Sequence, residues 1–272
     1  MWICPSCQTT LNQHSSTWAC QNGHRFDIAK EGYVNLLLAN QKRTKDPGDN
    51  NAMINARRAF LEQNHYQPLA NKVAEVVSTH TPKKSAFSIY DIGCGEGYYL
   101  NTIKNYLSEQ GIPVSTYGSD IAKNAIQKAS KKYKESAFAV ASNANLPIES
   151  ESVDSLIQIF APSHSDEIAR VLKASGVWCQ VSPAPTHLTE LKNCIYDTPE
   201  LHKAASDDID GFTLQHQETL TYQCHLSNLS DRKNLLMMTP FYWSSDQSKI
   251  DQIIENLNSV TASFHIKLFM KN

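Results

Sequence analysis

The stretch Ser88-Ile89-Tyr90-Asp91-Ile92-Gly93-Cys94-Gly95-Glu96-Gly97-Tyr98-Tyr99 constrains this chain more than any other. Its first five residues are apolar or β-favouring and close on an acid, the signature of a buried strand. Three glycines at alternate positions then make a turn that a backbone can take only with little side-chain bulk. Leu100, Ile103 and Leu107 follow at helical spacing. A strand, a glycine turn and a helix in this order place free N–H groups and a positive dipole end beside the carboxyl end of the strand. No Lys-Ser or Lys-Thr pair follows, so the turn is not a P-loop, and the G-x-G-x-G spacing differs from the dinucleotide fingerprint G-x-G-x-x-G.

The residues downstream continue the alternation. Strands are expected at Phe87–Ile92, Val114–Ser119, Ala137–Ala141, Val153–Ile159 and Val177–Val181, with helices between them. Such alternation builds a parallel sheet with right-handed crossovers. Two later runs, at 212–222 and 260–269, alternate with period two and predict strands, with helical pieces at about 228–238 and 246–258. Together with the acid-glycine turn, a parallel sheet closed by late antiparallel strands resembles the Rossmann-like S-adenosylmethionine (SAM) methyltransferases. The expected fold is therefore α/β: a mostly parallel seven-stranded sheet beside a small N-terminal zinc-binding domain.

That small domain is read from its donors. Cys4-Pro5-Ser6-Cys7 is followed by Cys20-Gln21-Asn22-Gly23-His24. Two knuckles of this spacing close a tetrahedron around Zn²⁺, and the segment is too short to fold on an apolar core alone. Cys4, Cys7, Cys20 and His24 are the expected metal ligands; Cys94, Cys179, Cys194 and Cys224 read as buried thiols. Residues 27–38 read as the way out of the small domain. The chain then divides into 1–40, a basic linker with helices over 41–80, and a catalytic domain over 81–272. Within the linker, Lys42, Arg43 and Lys45 form either a solvated connector or a loop that grips phosphates.

In open α/β sheets ligands meet the carboxyl ends of the strands. Asp120 ends the second of these strands and either accepts ribose hydroxyls or caps the next helix. Ser142 and Asn143 follow the third, positioned for an adenine edge or as turn residues. Phe160-Ala161-Pro162-Ser163 follows the fourth. Tyr66 either covers a bound nucleoside or packs half-buried, and His187 either faces the ligand or is structural.

The chain is similar over nearly its whole length to the bacterial 23S rRNA guanine-N1 methyltransferases known as RlmA. The resemblance is carried by the cysteine–histidine knuckles and by Phe26-Asp27 with the run from Ala29 to Leu36. It continues through Asp46–Asp49, Ala56–Leu61, His65–Leu69, Asp91–Tyr99 and Met238–Phe241. Ala174-Ser175-Gly176 departs from the Pro-Gly-Gly found in many methyltransferases at that point. The sequence looks closer to the Gram-negative type. The resemblance implies SAM and structural zinc as cofactors, 23S rRNA as partner, a homodimer, and a target guanine in a hairpin loop of domain II. Expected SAM contacts are Tyr66, Asp91, Gly93, Cys94, Gly95, Glu96, Gly97, Tyr98, Asp120, Ile121, Ser142, Asn143 and His187. His187, Asp49 and Glu190 are the candidates for taking the guanine proton. Arg25, Lys30, Lys42, Arg43, Lys45, Arg57 and Arg58 are the expected phosphate contacts.

Composition sets the remaining bounds. A formal charge of −2 argues against a globally basic nucleic-acid binder but allows a local patch. No run of about 18 apolar residues suggests a membrane span, and no export signal is seen, so the cytoplasm is the expected compartment. Two other readings stand beside the RNA methyltransferase. One is a SAM methyltransferase acting on a small molecule; the other is a non-catalytic zinc-dependent RNA-binding protein. The knuckles and basic connector weigh against the former.

Overall fold

The computed structural model describes residues 2–41, 47–80, 87–196, 198 and 206–272, so the linker cations Lys42, Arg43 and Lys45 lie outside the described residues. The head has few apolar residues and correspondingly little regular structure. Strands β1 (Asn12–His14), β2 (Thr17–Ala19) and β3 (Arg25–Asp27) form a three-stranded antiparallel meander. A two-residue strand, β4 (Val34–Asn35), follows it. Helices α1 (Asn51–Glu62) and α2 (Gln67–His80) come next; Asn50 caps α1 by accepting from Met53 N–H at 3.0 Å.

The large sheet is then laid down in alternation. Strand β5 (Phe87–Ile92) leads through the glycine turn to α3 (Tyr98–Glu109), β6 (Val114–Asp120) to α4 (Lys123–Lys132), and β7 (Ala137–Val140) through a loop to β8 (Val153–Ile159). Helix α5 (Ser165–Val171), strand β9 (Leu172–Pro183) and helix α6 (Thr189–Ile195) complete the parallel part. Strand β10 (Phe212–His225), helices α7 (Leu229–Met237), α8 (Pro240–Ser244) and α9 (Gln247–Asn256), and strand β11 (Ser259–Lys271) close the chain.

Strand order is β10-β11-β9-β8-β5-β6-β7-β4. The central strands pair in parallel, whereas β11 runs antiparallel to both β9 and β10. Every residue of β5 and β8 is buried, as a parallel strand covered on both faces must be. On one face, α2 and α3 bring Leu69, Val73, Leu100, Ile103 and Leu107 onto Ile89 and Ile157. On the other, Tyr90, Ile92 and Leu156 share a core with α5 and with the head.

Among the described residues the sheet has eight strands rather than the seven expected. The segment read as a way out of the head pairs with the main sheet as β4, in register Val34↔Ala139 and Asn35↔Val140, and Leu36 N–H donates to Val140 O at 2.9 Å. Two residues are too few to show a period-two pattern. Cys194 also differs from expectation. It lies exposed at the edge of the apolar stripe of α6, beside buried Leu191 and Ile195.

The head is fastened to the sheet by Trp2. Its indole is 2% exposed and meets Tyr90 and Tyr117 edge to face, at centroid distances of 6.4 and 5.9 Å. Such aromatic contacts add to the area buried. Ile3 N–H donates to Pro147 O at 3.0 Å beside it. Trp2→Ala is expected to cost about 3–5 kcal/mol of stability, measured by urea unfolding with zinc present. A loss below about 1 kcal/mol would mean that the indole does not hold the head.

Candidate functional site

A cavity of about 370 Å³ opens at the carboxyl ends of β5, β6 and β8, walled by α1 through Ile54, Arg57 and Leu61 and by the start of α4. The glycine turn forms its floor. Gly93 has φ +66°, and a Cβ there would lie 2.5 Å from the Cβ of Ala161, so the turn and the loop after β8 touch backbone to side chain. At Gly95, φ is +55° and the space where a Cβ would sit is open. The left-handed conformation and the free approach both require glycine.

The same turn orients Asp120. Gly95 N–H donates to its Oδ2 at 2.9 Å and Ala122 N–H to its Oδ1 at 2.8 Å. Two backbone donors fix the carboxylate while leaving each oxygen a lone pair for a further hydroxyl. Asp91, 2% exposed, stands close by. Burial first, and then the charge of Asp120, push its carboxyl well above the usual range. Burial likewise raises Asp120.

Of the residues expected to contact the donor, Tyr66, Asp91, Gly93, Cys94, Gly95, Glu96, Tyr98, Asp120, Ile121 and Asn143 line the cavity. Gly97 caps α3 from behind, and Ser142 turns inward to accept from Ala144 N–H at 3.2 Å. His187 sits one layer back. It accepts from Ser263 N–H through Nδ1 at 3.2 Å and packs 4.7 Å from the Phe264 ring. Phe160 and Tyr66 stand 6.4 and 6.3 Å from its ring. Glu190 is also outside the cavity, its carboxylate taken by Thr261 N–H at 2.7 Å and Thr261 Oγ1 at 2.6 Å. Among the three proton-acceptor candidates Asp49 alone lines the cavity, held by Arg57 at 2.5 Å.

Three buried polar atoms of cavity-lining residues have no hydrogen-bond partner among the described residues: the Tyr66 hydroxyl, Asn143 Oδ1 and Glu96 Oε2, the last facing the Arg58 guanidinium at 3.5 Å. Buried polar atoms are rarely left unpaired, so a polar ligand fits this wall. Tyr66 is held rigidly, edge-on to Phe60 and Phe264 at 5.2 Å each. Asn143 is fixed by its Nδ2 donating to Pro162 O at 3.0 Å. Sequence reasoning did not single out Ile54, Leu61, Tyr99, Ile159 and Met238, which also line the cavity. The first two read as helix core, which they are on their other side.

The metal ligands converge in the head. The donor atoms of Cys4, Cys7, Cys20 and His24 all lie within 4.8 Å of one another. Cys7 Sγ and Cys20 Sγ are 3.7 Å apart, and His24 Nδ1 lies 3.5 Å from Cys4 Sγ and 3.4 Å from Cys20 Sγ. Tetrahedral zinc bonds of about 2.3 Å to sulfur and about 2.0–2.1 Å to nitrogen require edges of roughly 3.8 and 3.5 Å. The donor set fits zinc, held through Nδ1 of the histidine, with no position left for substrate. Arg25 and Lys30 are exposed on this head. Arg57 and Arg58 engage carboxylates instead: Arg57 that of Asp49, and Arg58 those of Glu62 at 3.0 Å and Glu96 at 3.5 Å.

Glu96 gives a pH signature. Burial raises its carboxyl from 4.5 to about 7, opposed by Arg58. The folded state then holds that proton more tightly than the unfolded chain. Its contribution to stability therefore falls as pH rises from about 4.5 to about 7. Glu96→Gln removes this decline, so the ligand-free variant should gain on the native protein between pH 5 and pH 8, by up to about 3 kcal/mol. Urea unfolding at the two pH values checks it; an equal difference at both would contradict the assignment.

Comparison with known proteins bears on this geometry. Residues 2–45 match the model of the RlmA N-terminal zinc ribbon, and residues 90–179 match a methyltransferase domain model. YxjB of Bacillus subtilis (strain 168), provisionally named a 23S rRNA (guanine-N(1)-)-methyltransferase, is 30% identical over 279 residues, covering all of this chain and 97% of its own. The 23S rRNA (guanine(748)-N(1))-methyltransferase of Streptomyces fradiae is 31% identical over 194 residues, 71% of this chain and 66% of its own. For the fold alone, a chain in the complex of the Haloferax volcanii Trm112 methyltransferase activator superposes with a TM-score of 0.51 at 14% identity, covering 83% of this chain and 99% of that one. A zinc-ribbon head, a SAM-dependent methyltransferase domain and full-length similarity together establish that the chain belongs to the RlmA family of 23S rRNA (guanine-N1) methyltransferases.

Proposed function

We propose that this protein transfers a methyl group from SAM to N1 of a guanine in a hairpin loop of domain II of 23S rRNA. The observation that carries the reading is the joining of two sites in one chain. A cavity with an oriented acid and unpaired polar atoms lies in a sheet whose other face is covered by a zinc ribbon. The relatives named for this reaction align with 71–100% of this chain.

When bound, SAM supplies a methyl group on a sulfonium centre that is already electrophilic. The chain's own work is to hold, orient and exclude water. Asp120 accepts the ribose hydroxyls, with Gly95 and Ala122 fixing its rotamer. Asn143 and Tyr66 offer polar atoms to the remainder of the donor. The loop Phe160-Ala161-Pro162 forms the wall on which the target base is received. That base must leave any stack to reach it. N1 of guanine carries a proton, which has to leave as the new bond forms. Asp49 receives it, directly or through one water, because it faces the cavity and Arg57 fixes its position. Arg25 and Lys30, with linker cations Lys42, Arg43 and Lys45, meet phosphates of the folded RNA. A homodimer working in the cytoplasm, with a cleft shaped by two copies, accords with the resemblance. Among the described residues no helix is long and apolar enough to cross a membrane.

Reverse transcription across 23S rRNA should stop at one guanine of that loop in cells carrying the gene and read through in cells lacking it, since N1 is a pairing position. Identical traces would overturn the substrate assignment. The two acids should separate in vitro. Asp120→Ala should weaken SAM binding at least tenfold by calorimetry. Asp49→Asn should leave it within twofold and lower turnover by about 10²–10⁴. Full activity of Asp49→Asn would take the proton acceptor elsewhere.

A further inference from the structure

We infer that the lysine-bearing face of α4 is a docking surface for the RNA phosphate backbone, running from the zinc head to the mouth of the cavity. The inference rests on the function proposed above and adds to it a surface that its chemistry alone does not name. The chain as a whole is nearly balanced, with 25 basic and 27 acidic residues. Residues 123–134 break that balance, with Lys123, Lys128, Lys131, Lys132 and Lys134 and no acid. Helix α4 sorts them by amphipathicity. Ala125, Ile126 and Ala129 are buried, while Lys123, Lys131, Lys132 and Lys134 are exposed.

Partners neutralise this face only in part: Glu62 and Glu96 lie towards Lys132 and Lys128, and Glu31 towards Lys134, whereas no carboxylate pairs with Lys123 or Lys131 among the described residues. Among the described residues, only Lys132 of the five pairs with a carboxylate, that of Glu62 at 2.7 Å. Lys128 donates to the Asn55 side-chain oxygen and Lys134 to the Glu31 carbonyl, both neutral acceptors. Two features also work against the helix itself. Lys123 stands at its N-terminal end, where the helix dipole opposes a cation, and no side chain caps that end. Lys128 and Lys132 repel at i, i+4. An exposed helix selected for stability alone would intersperse acids at those positions. A polyanion lying along the face relieves both.

Placement supports the same partner. The residues immediately before α4, Ile121 and Ala122, line the cavity. At the other end, Gln127 Nε2 donates to Glu31 Oε1 at 3.0 Å and Lys134 Nζ to Glu31 O at 2.9 Å, so the helix abuts the head next to exposed Lys30. The strip therefore joins the two sites that one RNA must touch.

The test uses the full-length zinc-loaded protein and an in vitro transcript of 23S rRNA. Lys123→Gln combined with Lys131→Gln should lower the slope of log affinity against log salt by about 1.4, at about 0.7 for each phosphate no longer neutralised. RNA affinity at 0.15 M salt should fall several-fold, with SAM affinity by calorimetry unchanged. Lys233→Gln with Lys249→Gln, on α7 and α9, removes the same charge and should leave the slope as it was. Equal slope changes in the two double variants, or none in the α4 pair, would overturn the surface while leaving the native protein's methylation of the transcript to stand. A native protein that neither binds nor methylates the transcript would remove the functional reading and the surface together.

Discussion

Three strand ends are drawn together at one point by the glycine turn after β5, and the site depends on that closeness. Gly93 lets the turn press against Ala161 of the loop after β8, and the Gly95 amide reaches across to Asp120 at the end of β6. Any side chain at 93 would push the β8 loop outward. The parallel sheet supplies the remainder without further specification, because its neighbouring strands all end on the same side. Under the proposed function, backbone geometry alone would bring a methyl donor and an acceptor base to one crevice.

The side chains that complete the crevice are held at some expense to the empty protein. Asp91 is buried next to half-buried Asp120, and desolvation pushes both carboxyls up. Glu96 adds a third such group. The Tyr66 hydroxyl and Asn143 Oδ1 wait without partners. Each is an arrangement that stability alone would not favour and that a polar ligand improves. The zinc head, by contrast, is a closed structural centre whose four donors leave nothing open for chemistry. Its part is to stiffen a small surface and, through Trp2, to cover the part of the sheet face that α5 leaves open.

Much of this was legible from residues alone. Strands β5 and β8 declared themselves by short runs rich in β-favouring apolar residues, and the metal donors by their spacing. Asp120 was readable as the acid at the end of the strand after the glycine turn, and it lines the cavity while accepting from the Ala122 amide. What escaped the sequence was set by distant contacts. Nothing near His187 reveals that Phe264 and Ser263, more than seventy residues later, claim it, or that Thr261 saturates Glu190. Arg58 read as a phosphate contact until Glu96, far along the chain, proved to be its neighbour. Val34 and Asn35 looked like connector because a two-residue edge strand has no pattern of its own; only β7 makes it a strand.

That edge strand carries a consequence for how the protein is made. Val34 hydrogen-bonds beside Ala139, so the head cannot settle on its seat until β7 has left the ribosome. At about 5–20 residues per second, the delay is on the order of 5–20 seconds. During that interval the nascent knuckles must either capture their ion unaided or wait, thiols reduced and accessible, for the sheet to arrive. Vectorial synthesis thus gives metal the first opportunity to order the head, before the strand that seats it exists.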